Sequence, residues 1–155
     1  MSTTMADFAG MTGLESLRAL IAGKFPPPTI ATTLGFHLAE IEDGRAVFEG
    51  EPSDRIMNPI GMVHGGFALT LIDSCTGCAA HSTLPAHVGY TTVETKVNFT
   101  RAIMPDTGLL RAEGVVVARG RTIITAEGKI TDAKGKLYAH GTSTLLVLRP
   151  EGRSA

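Results

Sequence analysis

The stretch from Gly66 to Leu84 limits the fold of this chain more than any other feature of its sequence. Its 19 residues are mostly apolar, lack the alternation of a strand and carry one formal charge, that of Asp73. Such a segment is typical of a helix that is covered on nearly all sides. A chain of 155 residues supports one hydrophobic core, so this helix is predicted to lie at its centre.

Segments with a period of two lie on both sides of this helix. Phe36–Glu42 and Arg45–Glu51 alternate across Asp43 and Gly44, a dipeptide favoured in tight hairpin turns. After the helix, alternation predicts strands at 93–99, 110–119, 121–130 and 137–148, with short breaks between the last three. The predicted fold class is therefore α+β: a hairpin, one helix, and a meander of antiparallel strands whose sheet wraps around that helix.

The alternation also predicts which residues of the first strand after the helix share a face. Val93, Val97 and Phe99 are predicted to lie on one face, opposite Glu94 and Lys96.

The first 35 residues are predicted to form a separate N-terminal segment. Leu14, Leu17 and Leu20 have helical spacing, so a short helix ending near Gly23 is expected. The prolines at 26–28 then forbid further helix. The predicted organisation is an N-terminal segment at 1–35, a core domain at 36–148 and a C-terminal tail at 149–155.

Composition excludes several classes of partner. The 14 basic and 15 acidic residues nearly cancel and form no basic run, which speaks against nucleic acid. No apolar run is long enough to span a membrane and no signal sequence is recognisable, so a cytoplasmic protein is expected. Cys75 and Cys78 have the spacing of a metal or redox pair, but no second pair accompanies them. We therefore expect no metal and no cofactor.

Two adjacent glycines, Gly65 and Gly66, stand at the start of the central helix. The first backbone N–H groups of a helix have no partner within it, and glycine lets a ligand approach them closely, so a developing negative charge could be stabilised there. An ordinary glycine-rich helix entry is the alternative. Asp73 favours a functional site over an ordinary helix entry, because burying a lone carboxylate costs free energy unless the carboxylate is paired or used. The alternative for Asp73 is a purely structural hydrogen bond.

The spacing of these groups predicts a site shared between two chains. Asp73 lies eight residues after Gly65, which corresponds to about 12 Å along a helix axis. This distance is too long for one small reacting group. If both take part, the carboxylate and the helix start must come from different protomers with antiparallel helices, which gives two sites per dimer.

Asn58, the run His64-Gly65-Gly66 and Asp73 resemble the signature of hotdog-fold acyl-CoA thioesterases of the phenylacetate-degradation (PaaI-like) and THEM2-like type. The likeness extends from about Phe36 to Leu148 and includes the order of strands and helix. The resemblance implies the hotdog fold and an enzyme, a thioester hydrolase that converts an aryl or medium-chain acyl-CoA to the free acid and CoA.

The resemblance also implies roles for individual residues. Asp73 would act as general base or nucleophile, and the N–H of Gly65 would polarise the thioester carbonyl. Asn58 would position water or the thioester, and His64 would support the loop. A hydroxyl on the following strand assists water in some relatives; Thr92 is the match, with the adjacent Thr91 as the other possible register.

Further residues are expected to bind substrate. Gly66 lies beside the thioester, and the resemblance places the CoA nucleotide near Arg101, Arg119, Gly120 and Arg121. Phe67, Leu71 and Met62 are expected to line the acyl pocket. The acyl-CoA substrate and a second copy of the chain are the expected partners, with a homodimer that carries sites at its interface and pairs into a homotetramer.

Two other functions share this fold. Hydratases and dehydratases of acyl thioesters use a histidine and a carboxylate in a different arrangement. A non-catalytic acyl-CoA sensor would need the pocket without the carboxylate.

Overall fold

The computed structural model describes residues 5–150 and consists mainly of four helices and six strands. The helices are α1 (Met5–Ala9), α2 (Gly13–Ile21), α3 (Thr29–Leu34) and α4 (Gly65–His81). The strands are β1 (Phe36–Glu42), β2 (Arg45–Gly50), β3 (Gly89–Phe99), β4 (Leu110–Arg119), β5 (Ile123–Asp132) and β6 (Leu137–Leu148). One antiparallel sheet, in the order β1-β2-β4-β5-β6-β3, packs around α4. The predicted α+β class and central helix are confirmed.

A row of glycines brings α4 close to the middle of the sheet. Gly114 on β4 lies opposite Gly128 on β5, which lies opposite Gly141 on β6. A Cβ atom on Gly114 would overlap the carbonyl oxygen of Cys75 in α4. Cys75 itself is completely buried. The helix therefore packs against sheet backbone at Gly114 and Gly128, a distance that only glycine permits, whereas the missing side chain of Gly141 makes room for the backbone of Lys96 in β3.

The strand after α4 does not join the meander that follows it. β3 pairs with β6 and occupies one edge of the sheet, and residues 100–109 return the chain to β4 beside β2. The predicted meander is thus correct for β4, β5 and β6 and wrong for β3. The period of two identifies strands, but it carries no information about the partner of a strand that is followed by a long connection.

A β-bulge in β3 changes which residues face α4. Thr92 pairs with Leu145 and Glu94 pairs with Thr144, so Val93 is the extra residue. Val93 is 55% exposed. The prediction that it shares the face of Val97 is wrong, because one inserted residue reverses the alternation beyond it.

The N-terminal segment contains three helices in its described part, not one. Helix α2 lies where the leucine spacing predicts it and begins with a capping box of Thr12 and Glu15. Helix α3 begins directly after Pro28, so the expectation that the prolines exclude further helix is wrong. Proline is tolerated at a helix start, where its missing N–H would have no partner. Residues 1–4 and 151–155 of the predicted segments lie outside the described residues.

The helices of this segment lie over the side of α4 that the sheet leaves open. Both α2 and α3 contact β1, and α2 also contacts α4. Phe8 of α1 packs edge-on against Phe25, with ring centroids 5.1 Å apart. Within residues 5–150, no helix has the length and hydropathy required to cross a membrane.

Candidate active site

His64 caps the N-terminus of α4 with its side chain. Its Nδ1 accepts a hydrogen bond from the N–H of Gly66 at 2.8 Å, while its own backbone N–H donates to the carbonyl of Ile56. Because Nδ1 is an acceptor, the neutral ring carries its proton on Nε2. The N–H of Gly65 donates to no acceptor among the described residues, so it is the helix-start donor that a ligand can reach.

Asn58 holds the loop that leads into this helix. Its Oδ1 accepts from the N–H groups of Ile60 (3.1 Å) and Met62 (3.0 Å), and its backbone N–H donates to the Met62 carbonyl. The side-chain oxygen is therefore occupied by the loop, which leaves the amide N–H₂ group for a ligand.

A hollow of about 300 Å³ lies beside the start of α4. Asn58, His64, Gly65 and Arg101 line it. The ring of Phe99 covers Gly65, where an added Cβ would lie 3.3 Å from the ring carbons. Three of the predicted catalytic residues and one predicted phosphate contact are thus brought together by the loop and the end of β3.

Asp73 lies on α4 with its side chain accessible in the single chain, although its helix is largely buried. Thr92 Oγ1 donates to Asp73 Oδ1 at 2.8 Å, and Thr95 Oγ1 lies 3.4 Å from the same oxygen. Thr91 is exposed. Of the two threonines left open by the sequence, Thr92 is the one that contacts Asp73. The position of Thr95 could not be expected from the sequence, because only the bulge at Val93 turns both hydroxyls towards α4.

Asp73 also borders a cavity of about 630 Å³ between α4, β1 and the N-terminal helices. Its lining is mainly apolar and includes Leu20, Phe25, Ile30, Phe36, Phe48 and Tyr90. Phe67 and Leu71, which were expected to line an acyl pocket, are buried in the core. Met62 lines the smaller hollow. None of these three residues lines the larger cavity, one wall of which is formed by the N-terminal helices.

The titratable side chains beside Asp73 in this cavity favour their neutral forms. Burial raises the pKa of Cys78 to about 12 and raises the pKa of Tyr90 as well. At the far end, burial lowers the pKa of His81, whose Nε2 lies 3.3 Å from Ser16 Oγ. With histidines counted as neutral, Asp73 carries the one formal charge in the cavity lining.

The predicted CoA contacts do not gather in one protomer. Arg119 pairs with Asp43 at 2.7 Å, and the N–H of Gly120 donates to Ile123, in the β4–β5 turn. This turn lies beside the C-terminus of α4, where Ser82 Oγ accepts from Gly44 of the β1–β2 turn. Arg101 lies beside the N-terminus of α4. Because this helix of 17 residues is about 25 Å long, Arg101 is far from the β4–β5 turn at its other end. Arg121 is exposed and lies with Arg119 and Gly120 in the β4–β5 turn.

The cysteine pair is not built as a redox or metal site. Burial is the main cause that raises the pKa of both thiols, of Cys75 and of Cys78, so they remain protonated at neutral pH. Among residues 5–150, no group of three or more His, Cys, Asp or Glu side chains is placed to hold a metal ion.

Comparison with known proteins agrees with this architecture. The model of the thioesterase superfamily matches residues 60–139. A Saccharolobus solfataricus protein that bears the name of an esterase is 33% identical over 75% of this chain and 81% of its own length. The 1,4-dihydroxy-2-naphthoyl-CoA hydrolase of Listeria monocytogenes is 27% identical over 74% of this chain and 92% of its own.

Solved structures give the same result. The crystal structure of a phenylacetic acid degradation-related protein from Ralstonia eutropha JMP134 superimposes with a TM-score of 0.76 and 27% identity, over 84% of this chain and 98% of that one. The shared architecture is the hotdog fold, one antiparallel sheet around one long helix, as expected from the sequence. This chain belongs to the thioesterase superfamily.

Proposed function

We propose that this protein is an acyl-CoA thioesterase whose active site is completed by a second copy of the chain. The observation that carries the proposal is the position of Asp73. This carboxylate is accessible, accepts a hydroxyl donor from Thr92 and borders a large apolar cavity. An acyl group in the cavity would place its thioester carbon next to the carboxylate.

The carbonyl of that thioester needs a hydrogen-bond donor. The Gly65 N–H of the same chain is too far away, because about two turns of α4 separate it from Asp73. The exposed edge of β3 offers a way to bring a second donor close. This strand of 11 residues pairs on one side only, with β6, and its Val93 and Phe99 are 55% and 57% exposed. Antiparallel pairing of two β3 edges would align two α4 helices in opposite directions. The N–H of Gly65 from one chain would then face Asp73 of the other.

The proposed chemistry uses these two groups and water. The Gly65 N–H stabilises the charge that develops on the carbonyl oxygen. Asp73 either takes a proton from the attacking water or attacks the carbon itself to form an anhydride that water then hydrolyses, and Thr92 holds the carboxylate in place. The C–S bond breaks, and the CoA thiolate leaves and takes up a proton. In this proposal Asn58 and His64 maintain the loop, and the amide group of Asn58 orients water or the thioester.

The acyl group is proposed to be an aryl or medium-chain acyl. A cavity of about 630 Å³ has the size that binds a drug-sized ligand, and most of its lining is aliphatic or aromatic. The Listeria relative is named as a hydrolase of an aromatic acyl-CoA, which supports the same class. The proposed contacts of CoA come from two places. One is the start of α4 and the hollow beside it, with Gly66 and Arg101. The other is the β4–β5 turn at the opposite end of a protomer, with Arg119, Gly120 and Arg121.

Release of free CoA from a panel of acyl-CoAs, followed with a thiol reagent, tests this function. We expect turnover of phenylacetyl- or octanoyl-CoA and a fall in kcat of at least about 10²-fold in Asp73→Asn, the minimum usual for a positioned base. Binding without thiol release would identify a sensor, and consumption of an enoyl-CoA without thiol release would identify a hydratase. Either result, or a fully active Asp73→Asn, would contradict the proposal.

A further inference from the structure

A chain of buried hydroxyl groups runs from the core of the fold to Asp73. Thr76 of α4 is 0% exposed and Ser143 of β6 is 1% exposed. Thr76 Oγ1 lies 2.8 Å from Ser143 Oγ, which lies 3.0 Å from Thr95 Oγ1, which in turn lies 3.4 Å from Asp73 Oδ1. Burying hydroxyls in an apolar core costs free energy unless their hydrogen bonds are made. This chain leads to the one carboxylate that the proposed mechanism needs.

Three hydroxyl protons can fill only three of the four contacts that run from the Ile72 carbonyl through Thr76, Ser143 and Thr95 to Asp73, so one contact is always without a proton. Each hydroxyl has one proton to donate. Thr76 Oγ1 also lies 2.7 Å from the carbonyl oxygen of Ile72, which can only accept. When Asp73 receives nothing from Thr95, the other three contacts are all filled: Thr76 donates to Ile72, Ser143 to Thr76 and Thr95 to Ser143. If Thr76 donates to Ser143, then Ser143 donates to Thr95 and Thr95 donates to Asp73.

We propose that Thr95, Ser143 and Thr76 are positioning residues that match the number of donors on Asp73 to its charge. This inference rests on the proposed thioesterase function. When Asp73 is ionised, the chain points outward and the carboxylate receives hydrogen bonds from both Thr92 and Thr95. When Asp73 takes a proton from water, or bonds to the acyl carbon, its charge is lost and the three hydroxyls rotate inward, with Thr76 returning to the Ile72 carbonyl. No proton leaves the chain.

This reversal matters because catalysis depends on differences between states. The hydroxyls of Thr92 and Thr95 hold the orientation of the carboxylate, but a donor that stayed on it throughout would stabilise the charged starting state more than the neutral state that follows and would offset part of that gain. Without Ser143, Thr95 would lose its other hydroxyl partner and remain on Asp73. Without Thr95, the carboxylate would lose one of its two hydroxyl donors. Hydrogen bonds in a chain polarise one another, so its effect reaches beyond the residue that touches Asp73.

The test compares variants that remove one hydroxyl each. For Ser143→Ala and for Thr95→Val we expect kcat to fall about tenfold, the lower range for a hydrogen bond to a charged group, while KM is unchanged. Thr95→Ser keeps the hydroxyl and should retain most of the activity. Thr142→Ala is the matched control, because Thr142 is exposed beside Ser143 on the opposite face of β6. Thermal unfolding of each variant separates loss of turnover from loss of stability.

Two results would overturn the inference. One is Ser143→Ala and Thr95→Val enzymes that keep wild-type kcat while Asp73→Asn is inactive, which leaves the proposed function intact. The other is a loss of kcat that Thr95→Ser fails to rescue. An infrared measurement decides even if the wild type hydrolyses no acyl-CoA. The carboxylate band that disappears in Asp73→Asn should shift in Ser143→Ala and Thr95→Val and remain in place in Thr142→Ala.

Discussion

Thr91 and Thr92 are neighbours in the chain and face opposite sides of β3. Thr92 donates to Asp73, whereas Thr91 is exposed. Because successive residues of a strand face opposite sides, one of the two threonines serves as the control for the other.

We predict that Thr92→Val lowers kcat about tenfold, since it removes a hydrogen bond to a charged group. Thr91→Val should leave kcat within error of the wild type. Steady-state rates with the best acyl-CoA of the panel check both. Equal effects of the two substitutions would show that the hydroxyl on Asp73 has no part in turnover.

Single residues of the site differ in how well the sequence predicts them. Asp73 and Gly65 could be identified because a lone charge and a glycine pair stand out in an apolar helix. Thr95 could not, because its contact with Asp73 depends on a bulge that no residue type announces. The alternation rule assumes regular pairing, and it failed at Val93, the one inserted residue.

Among the structural elements, the contact between α4 and the sheet depends on Gly114 and Gly128. We predict that Gly114→Ala destabilises the fold by about 2 kcal/mol, because its Cβ must displace helix backbone rather than a movable side chain. Gly89→Ala is the control, since an added Cβ there meets nothing within 4 Å. Urea unfolding at equilibrium measures both. A Gly114→Ala protein as stable as the control would mean that the helix can shift freely on the sheet.

The N-terminal helices are predicted to decide which acyl groups are accepted. Ile30 of α3 borders both the apolar cavity and the groove beside Asp73. Ile30→Trp should narrow this passage and lower kcat/KM for octanoyl-CoA at least about tenfold relative to acetyl-CoA, because overpacking of this size costs 1–3 kcal/mol or more. Thr32→Trp, on the exposed side of α3, should leave the ratio unchanged. An unchanged ratio in Ile30→Trp would place the acyl group elsewhere.

The elements themselves were largely predictable, and their arrangement was less so. The hairpin of β1 and β2 follows from Asp43 and Gly44, whose turn chemistry fixes both neighbours. The position of β3 beside β6 could not be inferred, because a connection of ten residues reaches more than one edge. The cavity was missed for the same reason: nothing in the N-terminal sequence indicates which face of the core its helices cover.

At the scale of the whole molecule, mixed dimers can show whether two chains share a site. Gly65→Pro removes the proposed N–H donor, and proline is tolerated at the first position of a helix. Gly65→Ala keeps the donor and serves as its control. Asp73→Asn and Gly65→Pro should each be inactive alone.

Refolding the two inactive variants together in equal amounts should restore about a quarter of wild-type activity, because half of randomly formed dimers are mixed and each mixed dimer has one intact site. Size-exclusion chromatography confirms that dimers have formed. No recovery in verified mixed dimers would mean that each chain holds its complete site, or that the two groups do not act together.

The bulge at Val93 shifts the inward-facing positions of β3 by one residue. Before it, the even-numbered Tyr90 and Thr92 point inward; after it, the odd-numbered Thr95 and Val97 do. Deleting this single exposed residue would leave Thr92 and Thr95 two positions apart on one face of a regular ladder, so both would still face α4, and it would remove the bend and extra twist that a bulge gives the strand. The inserted residue thus lets two threonines three positions apart in the sequence meet the same carboxylate, and its own exposed side chain can be replaced without turning either hydroxyl away from Asp73.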